Sequence, residues 1–147
     1  MIFIKTVFLG AALFLLASCR AYVPPQSLPE NCPFSHKSYD ISFCWKVDRS
    51  VDRFTIAGYA TNTRFAFIEE LEVWATLLDE TGKALGEATA FVIPLQIPMD
   101  DTEAFSLAVP LRSEVKPAKI RFFYRYRLTR VDDDKSPQIN SFETDLR

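Results

Sequence analysis

Hydrophobic and polar residues alternate with a period of two through most of the chain. Tyr39, Ile41, Phe43, Trp45 and Val47 are apolar at every second position, with Asp40, Ser42, Cys44, Lys46 and Asp48 between them. Successive side chains of a strand point to opposite faces, so this pattern predicts a half-buried strand. Phe54 and Ile56 continue the pattern, and Thr61-Asn62-Thr63 provides a polar break. Leu71, Val73, Ala75 and Leu77 form the apolar face of the next strand, with Glu72, Trp74, Thr76 and Leu78 opposite. Asp79 to Lys83 reads as a turn, with Gly82 available for positive φ. Ala84 to Ile93 returns as its partner.

Further along, Pro94, Pro98 and Asp100-Asp101 delimit a loop. Phe105, Leu107, Val109 and Leu111 alternate strictly, Glu114 to Pro117 turns the chain, and Ile120, Phe122, Tyr124, Tyr126 and Leu128 form the longest alternating run. Val131 to Pro137 is a polar loop, and Ile139 to Leu146 reads as a last strand. Ala66 to Leu71 can be read as a short helix. About seven or eight strands with regular turn signals predict an all-β domain. Half-buried antiparallel strands pack naturally as two sheets, so the expected architecture is an immunoglobulin-like β-sandwich, with a small β-barrel as the alternative.

Within that pattern, Gly58 to Asn62, Leu77-Leu78-Asp79, Gly82 and Phe105-Ser106-Leu107 follow one another in a particular order. This order resembles the immunoglobulin-like domains of the FxLYD type found in prokaryotic exported proteins. Ala75 stands where that motif has Phe, and Leu78 where it has Tyr. The resemblance spans about Arg53 to Leu128 and implies a fold, not an activity, because one fold hosts many functions.

The first residues break the alternation. Lys5 precedes an uncharged, mostly apolar run from Val7 to Ala17, the length of a signal-peptide core and too short for a transmembrane helix. The run ends in Leu16-Ala17-Ser18-Cys19, which resembles the bacterial lipobox. The resemblance implies cleavage after Ser18 and lipidation of Cys19, hence a membrane anchor. The alternative is an ordinary secretory signal with an incidental Cys. Arg20, rather than Asp, follows the Cys. By resemblance to the sorting rule of enteric bacteria, that favours the outer membrane, with the domain facing the periplasm or, alternatively, the cell surface.

Two cysteines remain, Cys32 and Cys44. An exported chain meets an oxidising compartment, so an even remainder suggests a disulfide, two free buried thiols being the alternative. Cys44 lies opposite the apolar parity of its strand, where an N-terminal arm could lie. Arg20 to Asn31 carries Pro24, Pro25 and Pro29 and reads as a semi-extended tether or as an irregular arm against the domain. The organisation expected is thus a signal peptide over 1–18, a tether or arm over 19–34 and the sandwich over 35–147.

Composition narrows the chemistry. A net charge of −2 argues against a nucleic-acid binder, four Gly leave no material for a phosphate loop, and a single His excludes a multi-His metal site. The 13 Phe imply a large aromatic core. The aspartates at 100–101 and 132–134 lack the spacing of a calcium loop and read as solvated turns. Ser35, His36 and Ser38 lie together, but no nucleophile elbow surrounds them. The sequence therefore points to no catalytic residues, no metal and no cofactor.

One surface stands out. Arg121, Phe123, Arg125 and Arg127 share a parity on the longest strand, with Arg130 just beyond, giving either a binding face or a solvated face paired with acids across the sheet. Trp74 also lies opposite the core parity, either packed beneath the arm or as a protein-binding hot spot, and is counted with the candidate binding face. The expectation is a non-catalytic, lipid-anchored envelope protein that binds or positions another envelope protein. The alternative is a periplasmic carrier or sensor of a lipid or other small ligand, held in a Phe-rich interior.

Overall fold

The computed structural model describes residues 32–111, 114–129 and 137–146. The signal segment, Ser18, Cys19, the tether as far as Asn31, Arg130 and the aspartates at 132–134 lie outside the described residues. Among those described there are nine strands and no helix: β1 (Phe34–Lys37), β2 (Ile41–Arg49), β3 (Arg53–Asn62), β4 (Phe67–Leu78), β5 (Ala84–Phe91), β6 (Gln96–Ile97), β7 (Thr102–Pro110), β8 (Lys119–Thr129) and β9 (Pro137–Asp145). They form two antiparallel sheets, one in the order β1-β2-β3-β7 and the other β5-β4-β8-β9, with β6 pairing the start of β4. The fold is a two-sheet, immunoglobulin-like sandwich and not a closed barrel.

The alternation in the sequence explains the layers. Ile41, Phe43 and Trp45 of β2, Phe54 and Ile56 of β3, and Phe105, Leu107 and Val109 of β7 are buried. They face Val73, Ala75 and Leu77 of β4 and Ile120, Phe122, Tyr124 and Tyr126 of β8, all buried as well. Burying each large side chain contributes about 1.5–3 kcal/mol. The aromatic rings mesh across the gap: Phe43 meets Tyr124 edge-on at 4.9 Å, and Trp45 lies 4.9 Å from Phe122, which stacks on Phe142 of β9 at 4.9 Å. Close strand packing needs a glycine at Gly58, because a Cβ there would lie 2.6 Å from the Trp45 Cβ and would collide with the Cys44 carbonyl. Gly82 closes the β4–β5 turn at φ 85°, as expected of that position.

Three readings from the sequence are corrected. The stretch from Ala66 to Leu71 is not helical but leads into and forms the start of β4, where Ile68 pairs with Ile97 and Leu128. A register shift between Glu69 and Glu72, with Glu70 at φ 53°, moves the buried positions from Ile68 to Leu71. That i, i+3 spacing imitates a helix face, but it is produced by a β-bulge. A second shift, between Leu77 and Leu78 in the β4–β5 ladder, skips Leu85 of β5; Leu78 keeps the parity of Trp74, opposite Lys119, but is only 1% exposed, so it is buried and not part of an open face. Tyr39 precedes its strand and is exposed, because a turn from Ser38 to Ile41 comes first, with the Ser38 Oγ accepting from the Ile41 N–H at 3.2 Å.

Candidate functional site

The outer face of β5-β4-β8-β9 gathers every described residue singled out for binding. Strand pairing sets Trp74 opposite Phe123, Glu72 opposite Arg125 and Thr76 opposite Arg121. Paired residues of antiparallel strands project to the same side, so the four β8 residues and Trp74 share one surface. Trp74 and Phe123 meet edge-on at 4.9 Å, and the Arg125 guanidinium lies 5.8 Å from the centre of the indole. The sequence left Trp74 either packed beneath the N-terminal arm or as a protein-binding hot spot. Trp74 shares its face with the arginines, whereas Cys32, the first described residue, is joined to Cys44 on the other sheet, with Cα atoms 5.5 Å apart.

The arginines are paired. Arg121 Nη2 lies 2.7 Å from Glu143 of β9, Arg125 Nη2 lies 2.7 Å from Glu72 of β4, and Arg127 Nη1 lies 3.4 Å from Glu70. The face is therefore not a bare basic stripe but a basic column on β8 flanked by acidic residues on β4 and β9. The half-exposed pairs, Arg121 with Glu143 and Arg127 with Glu70, contribute little to stability, about 0–1 kcal/mol each. Glu72 was not picked out in the sequence, because its parity marked it as solvated. In the fold it is 7% exposed, with Arg125 bonded to its carboxylate. Two apolar side chains flank the same row: Phe91 pairs across β5 with Glu72, and Ile139 pairs across β9 with Arg125. They are 58% and 59% exposed.

A second polar cluster sits at the end of the sandwich where β2 starts and β3 ends. Asp40, 8% exposed, accepts a hydrogen bond from the Tyr126 hydroxyl and lies 2.9 Å from Arg64 Nε. Arg64 stacks over Tyr39 at 4.0 Å. Burial, and then the Asp40 carboxylate, push the Tyr126 hydroxyl well above the ordinary tyrosine range, and burial raises that of Tyr124 against a hydrogen bond with Ser38. They stay protonated, and Tyr126 acts as a donor. Asn62, fully buried, donates to the carbonyls of Ala66 and Ile97 at 2.7 and 2.9 Å and accepts from the Arg64 N–H at 2.8 Å. The polar break read at 61–63 is thus a buried tie between loops. Every named group in the cluster has a structural partner, which marks it as scaffolding.

Elsewhere, the alternation of β1 puts Ser35 and His36 on opposite faces, so the sheet separates them. His36 stacks on Phe142 at 3.7 Å. Among the described residues, no group of three or more His, Cys, Asp or Glu is placed to hold a metal ion, and no helix is long and apolar enough to cross a membrane. A depression of about 480 Å³ opens on the outside between β3, β7 and the end of β5, lined by Tyr59, Phe91, Ile93 and Ser106 among others.

The fold and this face define an immunoglobulin-like sandwich whose outer sheet presents an aromatic pair inside a lattice of charge pairs. No protein-family model matches the chain, and no curated protein matches it. Among solved structures the chain is similar to part of a beta-glucuronidase from glycoside hydrolase family 2, at 8% identity and a TM-score of 0.36 over 74% of this chain. It spans 10% of the length of that structure.

Proposed function

We propose that this chain is a non-catalytic, lipid-anchored envelope protein, held in the outer membrane through Cys19, that binds or positions another envelope protein. On this reading its domain is of the FxLYD type, and its binding surface is the outer face of β4 and β8. The observation that carries the proposal is the Trp74–Phe123 pair flanked by Arg121, Arg125 and Arg127. Half-buried aromatic side chains flanked by exposed arginines supply apolar area and directional donors, the composition of interface cores. The meshed rings between the sheets favour this reading over that of a small-ligand carrier, which needs an internal cavity.

Two experiments test it. Labelled palmitate should enter the wild-type protein and not Cys19→Ala, and equal labelling of both would refute the anchor. The lipidated protein, cross-linked in its own envelope, should capture protein through this face, and the triple variant Arg121→Glu, Arg125→Glu, Arg127→Glu should lose that capture while remaining folded. Undiminished capture by the triple variant would refute the face.

A further inference from the structure

We propose that the outer face of β5-β4-β8-β9 pairs with the same face of a second copy of this chain, about a two-fold axis that runs parallel to the strands between β4 and β8. The inference rests on the reading of this face as a protein-recognition surface and identifies its partner.

The argument is that the face is its own complement under this one operation. A two-fold axis along the strands keeps each row of the sheet at its height and reverses the column order. β4 then lies over β8 of the second copy, and β5 over β9. In the row that holds Glu72 and Arg125, the order across the sheet is Phe91, Glu72, Arg125, Ile139. Reversal sets Arg125 of each copy over the Glu72 position of the other. It also sets Phe91 over Ile139, joining two apolar side chains that are exposed in the single copy. In the next row the order is Thr89, Trp74, Phe123, Ser141, so reversal sets Trp74 over Phe123 and Thr89 over Ser141: aromatic on aromatic, hydroxyl on hydroxyl. Only the third row brings like charges near each other, Glu87 and Glu143 at the rim, and Arg121 stands beside Glu143 to offset them. A slip of one column would oppose Arg125 to Arg125 and Glu72 to Ile139, or Glu72 to Glu72 and Phe91 to Arg125.

The orientation also suits the chain's entry. Under an axis parallel to the strands, Cys32, which precedes β1 and is joined to Cys44, lies at the same end of both copies. Two copies whose leading segments are held in one membrane can therefore form this pair. An axis across the strands would set the two copies of Cys32 at opposite ends.

The test uses two differently tagged full-length copies expressed together, extracted in detergent and purified through one tag. One copy carries Arg125→Glu with Arg127→Glu, and the other carries Glu70→Arg with Glu72→Arg. Each variant repels itself, whereas a mixed pair restores complementarity on both sides of the axis. Co-purification of the mixed pair should exceed that of either variant with itself by at least tenfold, and wild-type copies should co-purify with each other. Equal recovery of mixed and self pairs would overturn the proposal. Should the charge variants fail to fold, exposed positions carry the same test. A Phe91→Cys copy and an Ile139→Cys copy should form a mixed disulfide dimer, with at least tenfold less of either homodimer. Absence of that dimer would overturn the proposal. If pairing fails but the face still captures a different envelope protein, this inference falls and the wider reading stands; if capture fails as well, both fall.

Discussion

The Trp74 indole meets the Phe123 ring edge-on at 4.9 Å on the solvent side of β4 and β8. Neither residue contributes to the packing between the sheets, and both are directly paired in the ladder. An edge-to-face cross-strand pair contributes about 0.5–1.5 kcal/mol beyond its burial. Phe123→Ala should therefore cost about 1 kcal/mol in urea unfolding. Trp45→Ala, which removes a ring that is 1% exposed, should cost about 3–5 kcal/mol. Comparable losses at the two positions would mean that the outer pair is part of the core, and would remove the reason to read it as a surface.

Asp40 is the polar residue on which the loop end depends. It holds the Arg64 guanidinium and the Tyr126 hydroxyl at once. Removing one partner of a buried ion pair leaves the other charge uncompensated, at a cost of about 3–5 kcal/mol. Asp40→Ala should lose about that much, and Tyr126→Phe only about 1 kcal/mol, because it removes a donor and leaves the ion pair intact. If Tyr126→Phe proves as costly as Asp40→Ala in chemical unfolding, Arg64 is not the dominant partner.

His36 gives the fold a pH dependence of known sign. Burial against Phe142 lowers its pKa below the ordinary value of 6.5. A histidine with a depressed native pKa binds its proton more readily in the unfolded chain, so stability rises with pH between the two values. The contribution is complete above about 6.5 and is lost as the pH falls from there towards the native pKa. His36→Phe keeps a stacked ring and removes the proton, so its unfolding free energy relative to wild type should grow more favourable from pH 7 to pH 5. A constant difference across that range would show that the imidazole is solvated.

Legibility in the sequence followed the persistence of the period-two signal. The core residues of β2, β3, β7 and β8 were readable because no bulge interrupts those strands. β4 was misread at its start, where the bulge between Glu69 and Glu72 changes which parity is buried, and at its end, where Leu78 is buried against its parity; composition reveals neither. The candidate face was legible residue by residue but not as a unit. Trp74 and Phe123 lie far apart in the chain, and only the β4–β8 register shows them as neighbours. Asp40, Arg64 and Glu72 carried no signal, because a lone charged residue beside an apolar run looks the same whether its partner is water or a side chain from another strand.

The Cys32–Cys44 bridge should stabilise one edge of the fold more than the whole. It closes a loop with a sequence separation of 12, worth roughly 3 kcal/mol in the chain-entropy model. What it holds is β1, four residues long and paired only with β2 on its inner side. A strand that short has little ladder energy of its own, and its anchors are the stack of His36 on Phe142 and the contact of Phe34 with Trp45. β8 is paired on both sides and contributes four buried aromatic or aliphatic side chains. Reduction should therefore release the edge before the core, since local opening draws on the least-supported element. In hydrogen exchange of the reduced protein, the amides of β1 should lose protection by tenfold or more while those of β8 fall only with global stability. Loss of protection in β1 and β8 by the same factor would show that the edge strand and the core unfold as one unit, and that the bridge acts on the whole domain.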